Sequence, residues 1–248
     1  MRIHLPLLFW WIAGATPLPA LEPPPTPQSA SVIQEDRVVT ARARAGKAVA
    51  DLCATAGVAY PPRELFLRGF KAEQVLEAWA RSDDGPFRLV ASWPVLAASG
   101  RPGPKRVQGD LQVPEGCYQV AVRNPLSRFH LSLGLNYPNA SDLVRSDRER
   151  PGNDIYLHGG AQSIGCMAIG DERVEELYLL AADVRTKEVA VHLFPARMQG
   201  AAWDSMRMEY TQHAAFWTEL LPIYDAFERT HRLPEVMIDA AGAYHLAK

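Results

Sequence analysis

Between Ile155 and Asp171 the chain reads IYLHGGAQSIGCMAIGD. The run Ile155-Tyr156-Leu157 has strand character and delivers His158, after which Gly159 and Gly160 turn the chain. Ser163, Gly165 and Cys166 follow after a short loop. A thiol is a weak nucleophile until it ionises, and a free pKa of about 8.5 leaves little thiolate at neutral pH. An imidazole within hydrogen-bond reach removes that limit, as base or as ion-pair partner. Such a base must be oriented through its other nitrogen, and the carbonyl of Gly159 is the nearest candidate. Small residues around Cys166 let backbone N–H groups approach a developing oxyanion. Those of Gly165 and Cys166 are the expected donors, with Ser163 and Gly165 shaping the turn.

A His eight positions before a Cys is by itself a weak signal, since pairs of that kind are more often structural than catalytic. Zinc would use both residue types, but no third and fourth ligand stands at a convincing spacing, so neither a metal nor a cofactor is expected. Cys117, in PEGCYQV, begins an apolar strand with no His nearby and is the weaker nucleophile.

Outward from this segment, LFLRGF, VLEAWA, FRLVASW, CYQVAV and FHLSLGL are short β-branched or aromatic runs with Gly, Pro, Asn and Asp between them. They predict a β-rich sandwich or barrel core. Asp171 to Arg185 predicts a helix with acids in its first turn and Val174, Leu177, Tyr178, Ala181 and Val184 on one apolar face. EVAVHLF returns to strand. The segment from Gln34 to Ala56, rich in Ala, Arg and Lys, predicts a helix ended by Gly57 and Pro61-Pro62. Met208 to Thr230 predicts another, kinked or split at Pro222, and Val236 to Leu246 a last strand or irregular cover. The expected fold class is α+β, a β-rich sandwich core with flanking N- and C-terminal helices. Its divisions are residues 1–20, 21–60, 61–197 and 198–248.

The polar stretch Asn136 to Asn153 is locally basic through Arg145, Arg148 and Arg150. Two readings stand: a solvated surface loop, or a lid that offers these arginines to an anionic substrate.

The 248 residues are 48% hydrophobic and 22% charged with net charge −2, ordinary globular values. With no clustered Lys and Arg, a nucleic-acid groove is not expected. Arg2, the apolar LPLLFWWI and Ala13-Gly14-Ala15 read as a secretory signal with a second candidate cut after Ala20. The competing reading is an uncleaved anchor or a buried strand. The apolar run is too short to span a bilayer, which takes about 20 residues. The mature protein is therefore expected in the periplasm with no stable membrane span. Of the three cysteines, Cys53 and Cys117 either pair, leaving Cys166 free, or are plain buried side chains.

The motif His158-Gly159, Ser163, Gly165-Cys166, Ala168 resembles the L,D-transpeptidase (YkuD-type) catalytic domain, and more specifically its YafK-like branch. SGRPGPKRVQGDLQVPEGCYQV from Ser99 and NPLSRFHLSLGLNYPN from Asn124 resemble two further blocks of that branch, in the same order. Together they cover roughly residues 65 to 195. The resemblance implies a β-sandwich fold, peptidoglycan stem peptides as substrate, Cys166 as nucleophile, His158 as base and Gly159 as the carbonyl that orients it. The wider family has a second His before the Gly-Cys pair, where this chain has Ile164, and a basic or amide residue after Cys, where it has Met167. Both departures are shared with the branch. The implied chemistry is acyl transfer through a Cys thioester. Transfer to an amine or to water, and attack at the first or third stem residue, all stay open, as does a non-catalytic peptidoglycan binder. His130, His192 and His213 are expected to be structural.

Overall fold

The structure, a computed structural model, describes residues 27–247, with backbone alone for 27–36. The expected signal segment lies outside the described residues. The chain opens with α1 (Pro27–Thr55), followed by β1 (Glu64–Phe70), β2 (Val75–Arg81), β3 (Arg88–Pro94) and β4 (Ala97–Ala98). Next come β5 (Gly116–Asn124), β6 (Ser132–Leu135), α2 (Ala140–Arg145), β7 (Tyr156–His158), β8 (Met167–Ala168) and α3 (Asp171–Asp183). Then β9 (Val189–Phe194), α4 (Gly200–Glu209), α5 (Ala214–Thr230) and the hairpin β10 (Val236–Ile238) and β11 (Tyr244–Leu246) complete it.

Nine strands form one mixed sheet in the order β3-β2-β1-β9-β5-β6-β7-β8-β4. The β1–β9 and β7–β8 pairs are parallel and the rest antiparallel. A register shift between Val120 and Val122 bends β5, and the sheet curls there. The fold is α+β as expected: a curled mixed sheet with N- and C-terminal helices against it.

Sequence periodicity accounts for one helical layer. Val174, Leu177, Tyr178, Ala181 and Val184 are all buried, as the apolar face of α3 requires. Ala41, Ala45, Val49 and Cys53 make a matching stripe on α1, and both stripes belong to the main core. Each large apolar side chain so buried contributes about 1.5–3 kcal/mol.

The other helical layer packs through a second apolar cluster that includes Phe70, Phe194, Trp217 and Tyr224, and it adds buried charge. Arg68 on β1 is 1% exposed and donates to Glu77 on β2 (2.8 Å) and to Glu228 on α5 (2.6 Å). Its guanidinium lies 4.6 Å from the Phe227 ring centroid and 5.0 Å from that of Trp79. Fully buried Glu115 accepts from Lys71 Nζ (3.0 Å), Gly103 N–H (2.7 Å) and Trp217 Nε1–H (2.7 Å). That set fastens α5 to the loop entering β5.

Several expectations are corrected. Helix α1 starts at Pro27, ahead of Gln34. The late helix breaks at Tyr210, not at Pro222. Pro222 faces solvent, so the carbonyl it leaves unbonded can be hydrated, whereas the break lets Trp203 pack on Trp217 at 5.3 Å. Of FHLSLGL only Ser132–Leu135 is strand, and His130 sits in the preceding turn at φ 70. Cys53, Cys117 and Cys166 are all free thiols. Burial raises Cys53 to about 11 and pushes Cys117 up as well.

Candidate active site

Strands β7 and β8 run side by side with Leu157 opposite Met167 and His158 opposite Ala168. Cys166 directly precedes β8, so this register makes Cys166 and His158 diagonal neighbours on one face. Both line a cavity of about 680 Å³. His158 is buried and its Nδ1 lies 2.6 Å from the Gly159 carbonyl. A carbonyl only accepts, so Nδ1 carries the proton and Nε2 is left as the basic nitrogen. The Phe129 ring stacks on the imidazole with centroids 4.6 Å apart. Burial holds the His158 pKa below the ordinary imidazole value, opposed by the Gly159 bond.

The Gly159 position admits no side chain. A Cβ there would stand 2.5 Å from Asp171 Oδ1 and 2.7 Å from the Phe129 carbonyl. Asp171, at the start of α3, accepts from Gly160 N–H (2.7 Å) and so ties the glycine turn to the helix.

The Cys166 thiol is half-buried. It accepts from Tyr156 N–H (3.4 Å) and donates to the Asp154 carbonyl (3.5 Å); among the described residues it makes no hydrogen bond to His158. Burial raises its pKa, the Tyr156 bond lowers it, the Asp154 carboxylate raises it and Lys105 lowers it. Burial thus favours the uncharged form of both side chains. Ser163 Oγ accepts from Cys166 N–H (2.9 Å) and donates to the Cys166 carbonyl (2.6 Å), fixing the turn that carries Cys166. Gly165, at φ 106, gives its N–H to Ser99 Oγ (2.6 Å). Both N–H groups expected to meet an oxyanion are thus held by hydroxyls here.

The basic stretch is not a loose lid. It contains α2, closed by a capping box between Asn139 and Asp142. Arg145 pairs in two-pronged fashion with Glu219 (2.9 Å each) and lies over the Phe216 ring, away from the cavity. Arg148 and Arg150 are exposed and do not line it either. The cations that do are Lys105, bound to Asp110 (2.6 Å), and Arg128. Sequence reading assigned no role to Ser99, Lys105, Arg128, Ser132 or Asp154. All but Asp154 lie in the two upstream blocks, and that was the available signal. His130 binds Glu175 (2.7 Å), His192 packs on Phe66, and His213 packs on Trp217.

Residues 71–191 match the YkuD family, the L,D-transpeptidase catalytic domain. The chain is 31% identical to the protein YafK of Escherichia coli (strain K12) over 190 residues, 74% of either chain. It also matches two crystal structures of the helical cell shape determining protein Pgp2 from Campylobacter jejuni at 22% and 17% identity, each with TM-score 0.46. Those matches cover 63% and 71% of this chain and 56% and 73% of the other, so the chain spans little more than half the length of the first. A fold whose curled sheet sets a Cys beside a His, with this family match, defines the class. The chain belongs to the YkuD-type L,D-transpeptidase family.

Proposed function

We propose that this protein is an exported peptidoglycan L,D-transpeptidase of the YafK-like branch, working through a Cys166 thioester. The observation that carries the reading is the delivery of Cys166 and His158 to one cavity by adjacent strands, with the His158 tautomer set by Gly159. His158 Nε2 takes the thiol proton as the sulfur attacks a stem-peptide carbonyl. It returns that proton to the departing amine, leaving a thioester. An incoming stem-peptide amine attacks the thioester, loses a proton to His158, and expels the thiolate. Tyr156 N–H stabilises charge on the sulfur at both stages. When the oxyanion forms, Gly165 and Cys166 N–H exchange their hydroxyl partners for it. No metal or cofactor enters these steps. Among the described residues no helix is long and apolar enough to cross a membrane.

The test is incubation with defined muropeptides followed by mass spectrometry. New cross-linked species support transpeptidation. Trimmed species alone assign the same site to hydrolysis, and unchanged muropeptides sink both in favour of a binding role.

A further inference from the structure

The hairpin β10–β11 keeps one open edge. Among the described residues β10 pairs with β11 alone. Ala247 N–H donates to the Glu235 carbonyl (2.9 Å) and Asp239 N–H to the Ala243 carbonyl (3.0 Å). These bonds bracket the pairs Val236–Leu246 and Ile238–Tyr244, which makes both pairs the kind that exchange no hydrogen bonds of their own. The N–H and C=O groups of Val236 and Ile238 therefore point away from β11, and none has a partner among the described residues. An edge of that kind is a template for a further strand.

That edge borders a cavity of about 490 Å³, which shares no lining residue with the one that holds Cys166 and His158. Val236 and Ile238 line it, whereas Tyr244, His245 and Leu246 of β11 line a different hollow, so it lies on the open side of β10. Its facing wall is sheet. Cys117 stands opposite His192, and Gln119 opposite Ala190, across β5 and β9. His192 is 4% exposed, and its ring nitrogens make no hydrogen bond among the described residues. A buried imidazole without a partner calls for one. Among the described residues no carboxylate, Lys or Arg lines the cavity, and burial keeps His192 uncharged. The lining accepts uncharged side chains and penalises charged ones, which would be desolvated without a partner.

We propose that this cleft docks a segment of another protein: an extended peptide of L-residues that joins β10 as a third strand and turns uncharged side chains into the cavity. Strand addition needs free N–H and C=O groups at strand spacing and room for every second side chain, and the cleft offers both. A peptide of alternating L and D residues throws all its side chains to one face and cannot pair in this way. A second copy of this chain, paired edge to edge through β10, would leave both cavities unfilled. Docking here does not depend on transpeptidase activity.

The experiment titrates the full chain with the blocked peptide acetyl-Thr-Val-Ser-Val-Thr-amide and reads backbone amides by NMR. Saturable binding with Kd of about 0.1–1 mM is expected, the worth of a few backbone hydrogen bonds and two small apolar side chains. Amide hydrogen exchange at Val236 and Ile238 should slow severalfold, while that at Met237, already paired within the hairpin, stays unchanged. Methylating one alternate set of the peptide's amide nitrogens should weaken binding about tenfold, and methylating the other set should not. The same sequence with alternating L and D residues, or with Glu in place of both Val, should bind about tenfold more weakly. Gln119→Arg, on an exposed side chain of the facing wall, should weaken the peptide to the same degree at unchanged melting temperature and unchanged carbapenem acylation. Equal tolerance of methylation on both sets, parent affinity for the alternating or Glu peptide, unaltered exchange at Val236 and Ile238, or no saturation at millimolar peptide overturns the proposal. So does a folded Gln119→Arg protein that binds normally; if that variant fails to fold, the methylated peptides decide. Protection of those amides that needs no peptide and rises with protein concentration assigns the edge to a second copy and overturns it too.

Discussion

The two ends of the sheet are built to different rules. At one end β1 and β2 are seven residues each, continuously paired, and their buried charges are bound on several sides. Arg68 there meets two carboxylates and several aromatic faces. At the other end β7 has three residues and β8 two. Positive φ angles recur there at Asp154, Gly160, Gly165 and Gly170, and the Ser132 hydroxyl is unpartnered. Long paired strands mark the first end, although Gln74 in the β1–β2 turn also has positive φ, and short strands joined by glycine turns mark the second, which carries Cys166 and His158.

The sharpest way to break this contrast is at Cys166, the proposed nucleophile. Cys166→Ala should abolish acylation by a carbapenem, and His158→Ala should lose nearly all of it, while Cys117→Ala acylates normally. Intact-protein mass reads all three. Removal of a nucleophile or its base costs on the order of 10⁴-fold or more, yet thermal unfolding of Cys166→Ala should stay within about 1 kcal/mol of the parent, since the thiol is only half-buried and its hydrogen bonds are long. A wild-type acylation rate in His158→Ala would remove the base assignment.

The reverse experiment belongs to the buried charges. Glu115→Ala strands Lys71 as a buried cation and leaves Trp217 Nε1–H and Gly103 N–H without their acceptor. Breaking one partner of such a set costs about 3–5 kcal/mol. Denaturant unfolding should show that loss, and a loss below about 1 kcal/mol would mean that α5 is not held through Glu115.

Two histidines carry the contrast into pH. His158 must be neutral to act as base, and burial keeps its pKa below 6.5. The acid limb of the acylation rate should therefore fall below pH 6.5, with no thiolate absorbance at neutral pH because the Cys166 pKa is raised. His192, buried against Phe66, is held down to about 3, first by burial and then by Arg68. A depressed histidine binds fewer protons folded than unfolded. Its contribution to stability is thus present above pH 6.5 and lost as the pH falls toward 3. His192→Gln should flatten stability across that window and leave the acid limb of the rate in place. A shifted limb would show that the two ends are coupled.

What the sequence disclosed follows the same division. The meeting of Cys166 with His158, and the Gly159 carbonyl on its imidazole, were legible because one short segment holds all three residues. The face of α3 was legible because a period of 3.6 needs only local spacing. Ser99 was not, since its bond to Gly165 joins positions 66 residues apart. Nor were Ser132, set opposite His158 by the pairing of β6 with β7, and Arg128, which the fold brings to the same cavity. The break at Tyr210 was hidden because Pro222 is the only strong breaker in that stretch, and the deciding contact is between tryptophans.

Arg145 offers the smallest effect and the finest discrimination. From sequence it stood with Arg148 and Arg150 as a substrate-binding candidate; in the structure its guanidinium is matched to Glu219 and lies over Phe216. Glu219 also accepts from Tyr244 N–H (3.1 Å), so the pair helps seat β11 against α5. A half-buried pair with this geometry is worth about 1 kcal/mol, near the upper end for ion pairs not fully buried. Arg145→Ala should lower stability by about that amount and leave KM for stem peptides unchanged, whereas Arg128→Gln should raise KM and leave stability unchanged. Arg148→Ala and Arg150→Ala, both on exposed side chains outside the cavity, should change neither. Melting curves and steady-state kinetics on the four variants separate the cases. A raised KM in Arg145→Ala at unchanged stability would return the loop to the role of a substrate lid.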